Sequence, residues 1–158
     1  MGSLERVDAS HMLGESSTLS QRTVAEAMHE GVYSCPPDTP LSEVAEIMVA
    51  RGVHAVVVGR ASWDAESQPG MISALDLIAA VTMRSLDEQA AGGSAAGPAV
   101  TVAADVTLAR AAELMTRHGT THLLVVDESA GRPVGVLSTM DILEALAARD
   151  ATPTALGR

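Results

Sequence analysis

The chain has 158 residues, of which 47% are hydrophobic, and it carries a formal net charge of −10. Such an acidic chain, without a clustered basic stripe or interleaved aromatic residues, is a poor candidate for binding nucleic acid or anionic membrane through phosphate contacts. It also has neither a signal peptide nor an apolar run near the roughly 18 residues that span a bilayer, which predicts a cytoplasmic protein.

The chain opens with a segment that we exclude from the fold prediction. Residues 1–12, which end in Ser-His-Met, are typical of an expression tag. Further along, Thr23 and Glu26 have the spacing of a capping box, which predicts a short leading helix that ends at Gly31.

The next segment predicts a unit of strands and helices over residues 23–86. Thr39 is well placed as the N-cap of a helix with Pro40 at its first position, and apolar residues at helical spacing give that helix one apolar face. A loop containing Trp63 separates two of the predicted strands. The predicted elements are strand Val32–Cys35, a helix ended by Gly52, strand Ala55–Val58, strand Met71–Ser73 and a helix from Ala74 to about Leu86.

A second unit over residues 99–149 repeats this order after a flexible linker at 87–98, and a tail at 150–158 follows it. Each unit is predicted to be β-α-β-β-α, an α/β (α+β) arrangement in which two helices cover a small sheet. The predicted elements are strand Val100–Val102, helix Thr107–His118, strand Leu123–Val126, strand Val134–Ser138 and a helix from Thr139 to about Arg149.

The two units also repeat a sequence. Gly70–Ile78 (GMISALDLI) recurs as Gly135–Leu143 (GVLSTMDIL), 65 residues later. Leu41–Met48 matches Leu108–Met115 at a distance of 67 residues. A duplicated unit predicts two half-domains packed about a pseudo-twofold axis, with clefts where they meet. We therefore look for function in those clefts.

The repeated segments resemble a tandem pair of CBS domains, also called a Bateman module, over nearly all of residues 23–149. The features that carry the resemblance are a helix with apolar spacing, an apolar strand before an acidic turn (His122–Asp127), and a Gly-apolar-apolar-Ser/Thr-x-x-Asp junction from strand to helix. The helix, the strand and the junction recur in the same order in both units, although the acidic turn is clear only in the second.

The junction has two interpretations, which apply equally to Ser73 with Asp76 and to Ser138 with Asp141. The structural one is a capping box at a helix start. In the functional one, the carboxylate accepts hydrogen bonds from both hydroxyls of a ribose, while the serine and the helix-start amides hold a phosphate or a ribose oxygen. The resemblance to CBS pairs implies the second role, with AMP, ADP, ATP or S-adenosylmethionine as the ligand and no required cofactor.

By the same resemblance, adenine would lie in an apolar slot near the strands at Val32–Cys35 and Val100–Val102. Val102, and Thr139 at the start of the last helix, therefore join the candidate ligand-binding residues. Nucleotide-binding CBS motifs often place a basic residue just before the aspartate, where this chain has Leu75 and Met140. This difference disfavours a polyphosphate ligand.

His54 and His122, each just before an apolar strand, are the substitute candidates for contacting phosphate. The alternative is that each is simply a packed or solvent-facing histidine. Arg51, Arg117 and His118 are interpreted as cations that favour a helix C-terminus. His118 and His122 are four residues apart, but Gly119 should end the helix between them, so we predict no metal site.

Composition also bears on assembly. The chain has no Phe, so its core must be built from smaller residues, and some apolar helix faces should remain for a second copy to cover. We expect a homodimer that pairs through helix faces. Cys35 is the only cysteine and cannot form an internal disulfide, which agrees with a reducing compartment.

Three functional hypotheses follow. The first is a stand-alone regulatory module, not an enzyme, that binds an adenosyl ligand between its halves and signals to an effector protein by population shift. The second is a ligand-free assembly module with degenerate clefts, which the missing basic residues favour and the retained serines and aspartates oppose. A third, a small hydrolase, predicts turnover, but no nucleophile elbow is present. We expect Asp141 at an exposed helix start, so that Asp141→Ala weakens ligand binding and leaves the fold mostly intact.

Overall fold

The computed structural model describes residues 18–59, 68–95 and 97–148. The tag predicted at 1–12, the loop around Trp63 and the tail at 150–158 lie outside these ranges. After a helical turn at 18–21, the elements are α1 Val24–Ala27, β1 His29–Glu30, β2 Ser34–Cys35, α2 Leu41–Arg51, β3 Ala55–Val58, β4 Gly70–Ser73, α3 Ala74–Val81, a 3-10 turn Leu86–Glu88, α4 Ala91–Ser94, β5 Thr101–Ala103, α5 Leu108–His118, β6 His122–Asp127, β7 Arg132–Ser138 and α6 Thr139–Ala147.

Two sheets form the centre of the molecule. One has the strand order β2-β3-β4 and the other the order β1-β7-β6-β5. In both, the first strand of the repeat pairs in parallel with the second, and the second pairs antiparallel with the third. The predicted α/β class and the repeated β-α-β-β-α order are confirmed. Among the described residues, no helix has both the length and the apolarity needed to cross a bilayer.

Each half has its own hydrophobic core. Leu41 and Ile72 are fully buried in the first, and Leu108, Leu123 and Leu137 in the second. Burying a side chain of this size stabilises the fold by about 1.5–3 kcal/mol. Leu41 is equivalent to Leu108 in the repeat, and Ile72 is equivalent to Leu137, which explains why the two halves adopt the same arrangement.

The leading segment, which contains α1 and β1, packs on the second half of the molecule and not on the first half, which follows it directly. Val24 of α1 is fully buried in the core that contains Leu108. Strand β1 then pairs antiparallel with β7, with Glu30 opposite Gly135. The prediction that the leading helix runs to Gly31 is therefore wrong: it ends at Ala27, because the chain extends from there to join the sheet.

The segment predicted as a flexible linker makes the reciprocal connection. It contains α4, whose first residue, Ala91, is fully buried in the core of the first half. Pro98 pairs with Gly70, just as Glu30 pairs with the equivalent Gly135. Each half thus supplies a short helix and an edge segment to the other. The domain boundaries at 23–86 and 99–149 remain predictions.

Two further details of the prediction are corrected. Pro40, with an extended backbone, is the N-cap of α2, and Leu41 is the first helical residue, one position later than expected. Thr39 is instead buried, and its carbonyl accepts a hydrogen bond of 2.8 Å from the Ala91 amide. The contact from α4 therefore holds the start of α2.

His54 and His122, which the sequence analysis treated as equivalent, differ by one residue in their position within the repeat. Each repeated serine lies opposite the first residue of the neighbouring strand, which is Ala55 in one half and His122 in the other. His54 precedes Ala55, so its counterpart is Thr121. The carbonyls of His54 and Thr121 accept equivalent hydrogen bonds from the first amides of α3 and α6, at 2.8 and 3.0 Å.

Candidate functional site

Two clefts lie where the halves meet, and His122 lines both. We call them the Ser73 cleft, of about 250 Å³, and the Ser138 cleft, of about 300 Å³. The Ser73 cleft is lined by Met71, Ser73, Leu75, Asp76, residues 97–100 and residues 118–122. The Ser138 cleft is lined by residues 29–33, residues 51–55, His122, Val136 and Ser138.

Ser73 and Asp76 form a capping box at the start of α3. Asp76 Oδ2 accepts hydrogen bonds from the Ser73 amide at 2.7 Å and from Ser73 Oγ at 2.8 Å, while the Asp76 amide donates to Ser73 Oγ at 3.3 Å. The structural interpretation of the motif therefore holds. It does not exhaust the carboxylate, because no ion partner for Asp76 Oδ1 is found in the described part of the chain.

Ser138 and Asp141 repeat this geometry at the start of α6. Asp141 Oδ2 accepts from the Ser138 amide at 2.6 Å and from Ser138 Oγ at 2.9 Å. The surroundings differ, however, because His29 Nε2 lies 3.0 Å from Asp141 Oδ1. Asp141 is only 3% exposed, so the expectation of an exposed residue is wrong. Strand β1 places the imidazole of His29 against the carboxylate.

His122 lies between the two clefts in a partly desolvated position. Burial lowers its pKa below the usual value, and the neighbouring His54 lowers it further, whereas the carboxylates of Asp141 and Asp76 act in the opposite direction. Its Nδ1 lies 2.8 Å from Thr121 Oγ1. A neutral imidazole at this position could gain a proton when an anion enters either cleft.

The Ser138 cleft has two further features that the sequence analysis did not assign to it. The Arg51 guanidinium lies 5.4 Å from the centre of the Tyr33 ring, and both residues line the cleft. A cation on an aromatic ring stabilises an exposed site by about 0.5–1 kcal/mol. Two sequence signals pointed towards these residues. Tyr33 lies within Val32–Cys35, near which adenine was expected, and Arg51 ends its helix three residues before His54.

Not every candidate residue reaches a cleft. Ser73, Asp76, Ser138, His54 and His122 line the two clefts. Val102 is 5% exposed and packs in the core of the second half. Thr139 is exposed at the start of α6.

Alternation along β5 accounts for the position of Val102. Successive side chains of a strand point to opposite faces, and Val102 is the residue of β5 that faces the core. Val100, two residues earlier and on the same face, also packs against that core and lines the Ser73 cleft as well. Three candidates are absent from the walls of the two clefts as the described residues outline them: Val102, Thr139 and Asp141.

Comparison with known proteins supports the same architecture. The family model of the CBS domain matches residues 24–82 and 96–148. No curated protein matches the sequence. A solved CBS domain protein from Pyrobaculum aerophilum, complexed with AMP, is 30% identical, with a TM-score of 0.66 over 80% of this chain and 99% of that one.

Two more distant structures share the fold. The CBS domain of a bacterial CNNM/CorC family Mg²⁺ transporter, in complex with ATP, is 19% identical, with a TM-score of 0.69 over 88% of this chain and 96% of that one. A hexameric CBS-CP12 protein from bloom-forming cyanobacteria is 16% identical, with a TM-score of 0.70 over 77% of this chain. The match spans 66% of that cyanobacterial chain.

Proposed function

This chain belongs to the CBS domain family, and from that premise we propose that it is a regulatory module that binds an adenosyl ligand between its halves. AMP, ADP, ATP and S-adenosylmethionine are the candidate ligands. The relative complexed with AMP, at 30% identity over 80% of this chain, supports a ligand of this class. We propose no catalytic step, and the cytoplasmic location remains a prediction from composition.

The observation that carries this proposal is the environment of Asp76. Ser73 holds Oδ2 in place, so the carboxylate has a fixed orientation at the edge of the Ser73 cleft. Oδ1 remains to accept hydrogen bonds from a vicinal diol, and the amides at the start of α3 add a favourable dipole. The ribose of an adenosyl compound has that diol.

Phosphate contacts are proposed for His122 and His54, which line the clefts. His122 is placed to act on a ligand in either cleft, and protonation on binding would complement the negative charge of the phosphate. Arg51 adds a permanent cation in the Ser138 cleft. The family's usual basic residue before the aspartate is replaced by exposed apolar side chains, so these groups would carry the phosphate contacts.

The proposed mechanism is a shift in the relative orientation of the halves. The Ser73 cleft has walls from both: Met71 to Asp76 come from the first half, and residues 118–122 come from the second. A ligand that touches both walls favours the orientation in which both contacts are made. We propose that an effector protein responds to that orientation.

We also propose a homodimer formed through α3 and α6. Leu75 and Ile78 are 67% and 62% exposed, and the equivalent Met140 and Leu143 are 56% and 54% exposed. Large apolar side chains exposed at matching positions of both repeats form a symmetric surface, which suits association of identical chains. An assembly module without a ligand is the second candidate, and the contact between His29 and Asp141 favours it for the Ser138 cleft.

Calorimetric titration of the full chain, freed of copurified nucleotide by unfolding and refolding, separates the two candidates. We expect AMP or another of the four candidate ligands to bind, and Asp76→Asn to weaken that binding by at least about tenfold. Asp105→Asn is the matched control, because it removes the same charge from an exposed position. If none of the four compounds binds, the module is an assembly element.

A further inference from the structure

We propose that the two clefts are unequal: the Ser73 cleft takes the ribose, and His29 closes the Ser138 cleft to a second adenosyl ligand. This inference rests on the proposed function and specifies which of the two similar sites is used. It makes His29 the residue that sets the number of ligands bound per chain.

Both carboxylate oxygens of Asp141 already have partners. Oδ2 accepts two hydrogen bonds from Ser138, and Oδ1 lies 3.0 Å from His29 Nε2. The side chain of Asp141 is 2% exposed. A ribose that used this carboxylate would first have to displace the imidazole, and the loss of a charge-assisted hydrogen bond would weaken its binding by about tenfold or more.

Within the described ranges of the chain, the Ser73 cleft has no counterpart of His29. Strand β1 and the bridge at Pro98 pair with equivalent glycines of the two sheets. The residue before the pairing position is His29 in one case and Gly97 in the other. The amides of Gly31 and Ala99, two residues after His29 and Gly97, donate hydrogen bonds of 2.8 Å to the carbonyls of Val134 and Pro69. Each acceptor immediately precedes the paired glycine, so the register is the same in both halves.

Gly97 has no side chain to place against Asp76. Its φ of +80° lies in the left-handed region, and a Cβ added there would have no neighbour within 4 Å. Asp76 is half-buried, whereas Asp141 is buried beneath an imidazole. The difference between glycine and histidine at one position of the repeat therefore separates a carboxylate that is open to a diol from one that is not.

Apart from the covered carboxylate, the Ser138 cleft has side chains that could bind the base and the phosphate of a nucleotide. Tyr33 offers a ring for a base, and Arg51 offers a positive charge for a phosphate. The imidazoles of His54 and His122 offer further hydrogen-bonding nitrogens. The imidazole that covers Asp141 is itself 79% exposed. Truncating it would open the carboxylate from the solvent side and complete a second site.

Calorimetric titration of the nucleotide-free full chain with AMP tests the inference through stoichiometry. We expect one AMP per wild-type chain and two per His29→Ala chain. His29→Gln keeps a donor that can reach Asp141, so it should return the stoichiometry to one. Combining His29→Ala with Asp141→Asn should also give one, because the second ribose site then lacks its carboxylate.

A measurement on the wild-type chain checks the same point without any variant. Addition of AMP should shift the imidazole NMR signals of His122, which lines both clefts, and leave those of His29 in place. Two AMP per wild-type chain, one per His29→Ala chain, or a shift of the His29 signals on binding would each overturn the inference and leave the proposed function standing. Absence of AMP binding in the wild type and in His29→Ala would overturn it together with AMP as the proposed ligand.

Discussion

His29 Nε2 lies 3.0 Å from Asp141 Oδ1 and joins a side chain that is 79% exposed to one that is 2% exposed. An exposed ion pair usually contributes less than about 1 kcal/mol. Here the partner is a buried carboxylate that also caps a helix, so we expect the contact to contribute more to the stability of the fold. It links the leading segment of the chain to the start of its last helix.

The first prediction concerns how much each of the two capping aspartates contributes to the stability of the fold. Asp141→Ala should destabilise the fold by about 1–3 kcal/mol, because His29 loses its acceptor in addition to the loss of the cap at the part-buried Ser138 amide. Asp76→Ala loses only the cap and should cost about 0.5–1 kcal/mol. Urea unfolding at pH 7 measures both values. Equal shifts of the two midpoints would contradict the role of His29.

A second prediction tests the close approach of β1 to β7. A Cβ on Gly135 would collide with the His29 carbonyl oxygen and lie 2.9 Å from Met28 Sδ. Gly135→Ala should therefore displace β1 and destabilise the fold by about 1–3 kcal/mol. Gly93→Ala is the control, since nothing lies within 4 Å of its Cβ, and should stabilise α4 by about 0.5–1 kcal/mol. Thermal denaturation distinguishes the two outcomes.

The third prediction is a pH dependence of stability that depends on His122. Its pKa in the folded state lies below the unfolded value of about 6.5, because burial and His54 disfavour the charged ring. The unfolded state therefore binds the proton more readily, and stability is lost as the pH falls from about 6.5 through the folded pKa. In urea unfolding between pH 7.5 and 5, His122→Asn should lose stability less steeply than the wild type. Parallel curves would rule out this contribution.

A fourth prediction links ligand binding to the same ring. A phosphate near His122 should raise its pKa, so that AMP binding takes up a proton near pH 6.5 while adenosine binding does not. Titration in two buffers of different ionisation enthalpy measures this uptake. Identical proton uptake for AMP and adenosine would exclude His122 as a phosphate contact.

The fifth prediction addresses assembly. Ile78→Glu and Leu143→Glu should each dissociate the proposed homodimer, because each places a charge in the apolar surface of α3 and α6. Val49→Glu is the control, since Val49 is 85% exposed on α2 and lies outside that surface. Sedimentation velocity reports the oligomeric state. A larger or unchanged assembly in the Ile78 and Leu143 variants would place the interface elsewhere.

The repeat made much of the fold predictable. The junction that contains Ser73 is encoded locally, since the serine and the acid three residues later cap the helix that follows them. The same pattern at Ser138 indicated the duplication and, through it, the order of strands and helices. These features depend on residues that are close together in the sequence.

What the sequence did not reveal depends on contacts between distant segments. Nothing near Val24 or Ala91 indicates that each is buried in the core of the opposite half, and the small, glycine-rich residues around Ala91 are typical of a linker. The burial of Asp141 likewise depends on His29, more than a hundred residues earlier. His54 and His122 looked equivalent because both precede apolar runs, but the strand register shows a shift of one residue, in agreement with the 67-residue offset between the two helices.

The mutual exchange of leading segments has a consequence for how the molecule can move. Cutting the chain between α3 and α4 would strip each sheet of an edge partner and each core of a helix, so neither piece would keep its complete packing. In the intact chain, a rotation of one half relative to the other strains the backbone hydrogen bonds that join the exchanged segments to the opposite half. A large hinge opening would therefore have to break the hydrogen bonds of those edge segments. Small rotations of the halves about residues 31–33, before β2, and 99–100, before β5, would cost less free energy.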